Sequence, residues 1–254
     1  MILERLQAEG QVLARTLSSD LGVSEDTIRR DLGDLASAGL LQRVHGGALP
    51  ASPAVGSLAQ RRDVLPQEKS ALGKAGAALI EPGQVVLVDG GTTARELIRA
   101  IPLEFNATIV THSPQIAATL EFHTNIEVIL IGGSLFRHSM VTVGPTAMEA
   151  IRAIRADIFF LGATGVHPEV GLSTGDYQEA GMKRALHARA AETIVLASSE
   201  KLGAASPYVI LAASEISQLV VARDVESAIP DRFAAMGVSV IRAPVSRQPP
   251  TPSG

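Results

Sequence analysis

The chain has no cysteine and no tryptophan among its 254 residues, and only 3% of them are aromatic. Without cysteine there are no disulfides, no thiol catalysis and no cysteine-ligated metal. The scarcity of rings argues against a nucleic-acid surface built on stacked bases. No apolar run approaches the roughly 20 residues that a membrane span needs, and no charged-then-apolar leader opens the chain. A cytoplasmic protein without a membrane partner is expected. His112, His123, His138, His167 and His187 lie apart, with no HExxH spacing, so neither a metal nor a cofactor is expected. The net charge of −4 points to no class of partner. The length suits one small domain and one large one.

Residues 21–48, LGVSEDTIRRDLGDLASAGLLQRVHGGA, are the most specific stretch. Ser24 is suited to cap a helix, because its hydroxyl can take a free N–H of the first turn. Glu25 and Asp26 follow, where negative charge suits the positive end of the helix dipole. Ile28, Leu32 and Leu35 share one face at spacings of four and three, and burial is expected there. Asp26, Arg30 and Gly33 point the opposite way, with Thr27 and Arg29 on the flanks. Gly39 ends the helix. A short strand-like run over 40–44 then leads to His45 and to Gly46-Gly47, where a turn is expected. Upstream, residues 12–21 read as a supporting helix, with Leu13, Leu17 and Leu21 four apart. This is the layout of a DNA-reading helix followed by a wing. Its arginine forks can clamp a phosphate or bond a guanine edge twice. Residues 1–50 carry five Arg, no Lys and seven acids. A net negative domain is not a general DNA binder, so a focused contact is expected.

Residues 48–64 are rich in Pro, Ala, Ser and Gly without periodicity and read as a linker. Beyond it, short apolar runs at 85–89, 108–111, 126–131, 158–161, 193–197 and 219–222 alternate with helical stretches at 68–80, 94–100, 114–122, 146–154 and 178–191. That alternation implies an α/β domain with a mainly parallel sheet covered on both faces. Ligands of such sheets bind at the carboxyl ends of the strands. Three of those ends are glycine-rich. Asp89-Gly90-Gly91-Thr92-Thr93 is a phosphate-cradle candidate at a helix start, although GxxxxGK[ST] is missing. An ordinary strand-to-helix turn fits it equally well. Gly132-Gly133-Ser134 is followed by Arg137, and Gly162-Ala163-Thr164-Gly165 is followed by Lys183 on the next helix. The tail, 244–254, has the composition of a disordered segment.

The runs VSEDTIRRDL, LASAGLLQRVHGGA, VDGGTT, IGGSLFRHSMVTVGP and FLGATGVHPEVGLSTGDYQEAGMKRA together resemble the DeoR family of bacterial repressors. The resemblance covers nearly the whole chain, although it begins late: the family carries a further basic stretch before the counterpart of Ile2. Either the true start lies upstream or part of the first helix's phosphate contact is missing. The resemblance implies a winged helix-turn-helix domain over 1–50, with the helix-turn-helix itself over about 12–31, and a linker over 51–66. A sensor domain over 67–243 follows, with a fold similar to ribose-5-phosphate isomerase and CoA transferases. On the DNA side it implies contacts from Ser24, Thr27, Arg29, Arg30, Arg43, His45, Gly46 and Gly47. On the effector side it implies Asp89, Gly90, Gly91, Thr92, Thr93, Gly132, Arg137, Gly162, Thr164 and Lys183. Lys201, in SSEKLG, joins them, although Ser198 stands where the family pattern has Asp.

The expected protein is a homo-oligomeric repressor of a carbohydrate catabolic operon, released from double-stranded operator DNA by a phosphorylated sugar or polyol. An isomerase-like enzyme with an accessory DNA-binding domain is the alternative. Isomerisation needs a placed carboxylate. The Gly162–Gly165 loop has none, and Asp176 and Glu179 read as residues that cap and decorate the next helix, so no turnover is expected.

Overall fold

The computed structural model describes residues 1–52, 54 and 58–245. The N-terminal unit consists of α1 (Ile2–Glu9), β1 (Val12–Leu13), α2 (Ala14–Leu21), α3 (Glu25–Ser37), β2 (Leu41–Val44) and β3 (Gly47–Pro50). Its three strands pair antiparallel in the order β1-β3-β2. Leu6, Val12, Leu17, Ile28, Leu32 and Leu41 form its small core. Ile28 and Leu32 are buried as their spacing required, each side chain contributing about 1.5–3 kcal/mol.

The supporting helix is shorter than its leucine spacing suggested. Val12 and Leu13 pair with Ala48 and Gly47 instead, and Leu13 is exposed. Gly47 therefore sits in a strand and not in the turn. A Cβ there would lie 2.0 Å from the Val12 carbonyl oxygen, so the close approach of β1 requires glycine. His45 and Gly46 alone make the hairpin turn, with Gly46 at φ 78°.

The stretch read as a linker contains α4 (Leu58–Arg62) and buries Ser52, Ala54 and Leu58. The C-terminal unit continues with α5 (Pro66–Ala77), β4 (Val85–Val88), α6 (Thr92–Ala100), β5 (Ala107–Thr111), α7 (Pro114–Thr119) and β6 (Ile126–Leu130). Next come β7 (Ser134–Phe136), β8 (Val141–Val143), α8 (Pro145–Arg152), β9 (Ala156–Leu161), β10 (Gly165–His167), β11 (Gly171–Thr174), α9 (Tyr177–His187) and β12 (Ala190–Leu196). The last elements are β13 (Tyr208–Leu211), β14 (Gln218–Ala222), α10 (Ile229–Ala235) and β15 (Ser239–Ala243).

Seven strands form one parallel sheet in the order β15-β14-β12-β9-β4-β5-β6. Alternate residues face its two sides. Val86 and Val88 join a core with Leu72, Leu97 and Ile116 of α5, α6 and α7. Leu87 joins another with Ile151, Met182 and Phe233 of α8, α9 and α10. Continuous apolar strands thus reflect burial on both faces. From β4 the chain winds to one side through β5 and β6, then returns to β9 and winds to the other. The carboxyl ends of β4 and β9 therefore flank a topological switch point, where such sheets open a crevice. A strand at 239–243 also closes the sheet edge; no strand was read there from the sequence. The proposed disordered tail lies outside the described residues beyond Val245.

Candidate functional site

The crevice between β4 and β9 is a cleft of about 670 Å³, including its mouth. Gly90, Gly91, Thr92, Thr93, Gly162, Thr164, Lys183 and Lys201 line it, so eight sequence-selected residues converge from four separate segments. Gly132 and Arg137 do not reach it; both are exposed beside the β7–β8 hairpin.

Asp89 forms the floor and is completely buried. Its Oδ1 accepts from the Gly90 N–H at 2.7 Å and faces His112 Nε2 at 2.8 Å. Its Oδ2 accepts from the Gly162 N–H at 2.9 Å and from Lys183 Nζ at 2.5 Å. With both oxygens committed, Asp89 positions its neighbours and has no lone pair left for a ligand, contrary to the binding role expected of it. Burial alone would raise its pKa, but the Lys183 ammonium and His112 outweigh that and hold the carboxyl well below the usual range. Burial likewise opposes the charge on Lys183, while Asp89 and Glu179 more than restore it and raise its pKa. Two glycine loops and α9 are thereby tied to one carboxylate.

Above this floor the N-terminus of α6 opens into the cleft. Its cap is Gly91, at φ 125°, a conformation that suits glycine and offers no side chain to the free N–H groups. The Thr93 hydroxyl oxygen is buried and has no partner among the described residues. Cationic side chains surround this end: Lys183 and Lys201, together with Arg61 and Lys69. Burial pushes the Lys201 pKa down to about 8, helped by the nearby charges of Arg61, Lys69 and Lys183 and opposed by Glu200. Arg61 and Lys69 are also lowered, chiefly by burial. Desolvated cations beside an uncapped helix end and a free hydroxyl suit a compact, multiply charged anion.

Arg61 and Lys69 escaped the sequence reading because they lie on either side of the linker boundary, and only the fold brings them here. The Arg61-Arg62 pair inside an Ala/Ser/Pro-rich stretch was the available signal. Lys69 Nζ donates to the Arg61 carbonyl at 2.7 Å, which joins α5 to α4. His112, whose spacing from the other histidines carries no signal, bridges Asp89 and the Thr142 carbonyl. Asp176 caps α9 as expected, accepting from the Glu179 N–H at 2.9 Å. Glu179 differs: it is buried on the cleft wall, accepts from Thr174 Oγ1 at 3.0 Å and lies 3.3 Å from Lys183 Nζ.

The segment leaving the wing is fastened directly to this cleft. The Pro50 carbonyl accepts from the Ala205 N–H at 3.4 Å, Ala51 bridges Ala205, and Ser52 Oγ donates to the Thr164 carbonyl. Ala54 and Arg61 then line the cleft itself. Pro50, Ala51 and Ser52 thus lead from a wing strand to the cleft, and Ala54 and Arg61 lie on its wall.

In the N-terminal unit, Ser24 Oγ accepts from the Thr27 N–H at 3.1 Å and caps α3. Arg29 is drawn onto Glu25 at 2.7 Å, whereas Arg30 is exposed on the outer face. Arg43 reaches back from β2: a Cβ on Gly33 would lie 3.6 Å from its Nη1. Arg30, Gly33 and Arg43 therefore share one exposed side, with His45 and Gly46 at the hairpin tip.

Residues 1–53 match the DeoR-like helix-turn-helix domain, and residues 65–223 match the DeoR C terminal sensor domain. The chain is 34% identical over 229 residues to the HTH-type transcriptional regulator GlpR of Haloferax volcanii, covering 89% of each protein. It is 31% identical over 203 residues to the glycerol-3-phosphate regulon repressor of Escherichia coli, covering 80% of this chain and 81% of that one. Among solved structures, ribose 5 phosphate isomerase A from Neisseria gonorrhoeae overlaps 53% of this chain and 52% of its own, at 12% identity and a TM-score of 0.40.

Proposed function

The chain belongs to the DeoR family of transcriptional regulators, and from that premise we propose that it is a repressor of a carbohydrate catabolic operon whose effector is a phosphorylated sugar or polyol. The observation that carries the effector class is the open end of α6, where free N–H groups, the unpartnered Thr93 hydroxyl and four surrounding cations meet. The relative named for a glycerol-3-phosphate regulon supports the same class.

Arg30 and Thr27 would read the major groove, with Arg29 exchanging Glu25 for a phosphate, while Arg43, His45 and Gly46 hold the flanking backbone. Ser24 serves the reading helix as its cap, and Gly47 serves the wing by admitting β1. An anion drawing Arg61 and the Thr164 loop together would move Ser52 and Ala54, and with them the wing. This is a release mechanism that requires different effector affinities in the two states. Pairing of subunits would use β6, an edge strand of the sheet on which Val128, Ile129 and Leu130 are exposed.

The chain binds its effector without turnover in this reading, because Glu179 is held by Thr174 and Lys183. One observation favours the isomerase alternative: Glu200 Oε2 is buried at the cleft without a partner among the described residues. Incubation with aldose phosphates tests that alternative, and isomer formation would establish it.

The main test is a melting screen against phosphorylated sugars and polyols, followed by gel shifts on DNA selected by the protein. A ligand that stabilises the fold and releases that DNA is expected. Failure of every phosphorylated compound to do either would refute the effector class.

A further inference from the structure

A second cavity, of about 620 Å³ with its mouth, continues from the cleft along α6. Thr92 and Lys69 border both spaces. One wall is a single stripe of the helix. Thr92, Arg95, Glu96 and Arg99 recur at helical spacing and share a face, and Arg62 at the end of α4 completes the groove.

The charges in this groove are unbalanced. Glu96 Oε1 is already taken by Arg99 Nη1 at 2.9 Å. Asp63 is the other acid on the wall, against Arg62, Lys69, Arg95 and Arg99. Arg95 also stands near the N-terminus of α6, where the helix dipole favours an anion. Its Nε–H is buried and meets no acceptor among the described residues, which is costly for a charged donor. Burial, and then the adjacent Arg99 and Arg62, hold its pKa below the usual guanidinium value.

We propose that this groove is a second anion subsite and that the effector is a small bis-anion. One phosphoryl group would occupy the open end of α6, and a second phosphoryl or carboxylate group would lie on Arg62, Arg95 and Arg99. The inference rests on the inner cleft being a phosphate site. A ligand with a single anionic group at that end leaves the Arg95 donor unmet, whereas a second anionic group satisfies it with the planar, paired geometry that guanidinium forks favour.

Calorimetric titration of the full chain at fixed ionic strength tests this with two matched pairs. Fructose 1,6-bisphosphate is compared with fructose 6-phosphate, and 6-phosphogluconate with glucose 6-phosphate, with inorganic phosphate as the reference. In at least one pair the bis-anion is expected to bind about tenfold more tightly, and the pair showing the gap identifies the second group. Arg95→Gln and Arg99→Gln each bring that ratio towards one. Arg99 is exposed, so its variant carries the test if Arg95→Gln folds poorly. Equal affinities within both pairs, or a gap that survives both substitutions, overturn the subsite while phosphate binding still supports the inner cleft. Absence of binding by every probe, phosphate included, overturns the inner-cleft reading and the inference with it. An unchanged ratio with weakened DNA binding in Arg99→Gln assigns the groove to the DNA backbone and also overturns the proposal.

Discussion

Two helix N-termini in this chain are finished in opposite ways. That of α3 is closed by its own residues: Ser24 accepts from the Thr27 N–H, and Glu25 and Asp26 answer the dipole. That of α6 has a glycine cap without a side-chain bond, no acid in its first turn, and a cation at Arg95. A helix that presents side chains to DNA needs a self-sufficient end, because its function lies along its exposed face. A helix that receives an anion needs that end left open, with its desolvated surroundings held rigid by other means. In the proposed reading the Asp89–Lys183–His112 floor supplies the rigidity, and the open end supplies the affinity.

The largest test of this contrast removes the floor. Lys183→Met leaves the Asp89 carboxylate buried without its ammonium and is expected to cost about 3–5 kcal/mol in urea denaturation. The pH dependence has a definite sign. The folded carboxyl lies below its ordinary value, so the wild type keeps this contribution above the unfolded carboxylate range of about 4 and loses it progressively in more acid solution. The gap between wild type and variant therefore narrows as pH falls.

Thr93→Val separates binding from folding. It deletes a hydroxyl that makes no bond among the described residues, so melting should not fall, while inorganic phosphate should bind more weakly by about 1.5–3 kcal/mol, the range for hydrogen bonds to charged groups. A smaller effect concerns charge at the same end. Phosphate affinity should decline as pH rises through about 8, where Lys201 loses its proton, and Lys201→Met should flatten that decline in a calorimetric series. Smallest is the closed end: Ser24→Ala should cost about 1 kcal/mol of stability and leave phosphate affinity where it was.

The two ends were not equally legible in the sequence. Ser24, the acids after it and the Ile28/Leu32 stripe are local signals, and α3 formed where they placed it. The glycine-rich turn at 89–93 was visible too, but its spacing fitted an ordinary turn and a cradle equally. What favours the cradle, the convergence of Arg61, Lys69 and Lys201, is tertiary. Arg61 arrives from a segment whose composition reads as linker, and it folds over the cleft only because Ser52 and Leu58 are anchored on distant loops. The strand at Val12–Leu13 was hidden for a similar reason. Its partner is the hairpin at 47–48, and a leucine repeat of four carries no sign of that pairing. The family resemblance implies a ligand role for Asp89; only its four hydrogen-bond partners reveal a structural task.

The most direct measurement is a titration of the isotope-labelled chain with inorganic phosphate, followed at the backbone amides. Saturable shifts are expected at Thr92 and Thr93, with Glu25, Asp26 and Thr27 unmoved. No saturable shift at Thr92 and Thr93, or equal shifts at both helix ends, would contradict the assignment of an open, anion-receiving end to α6.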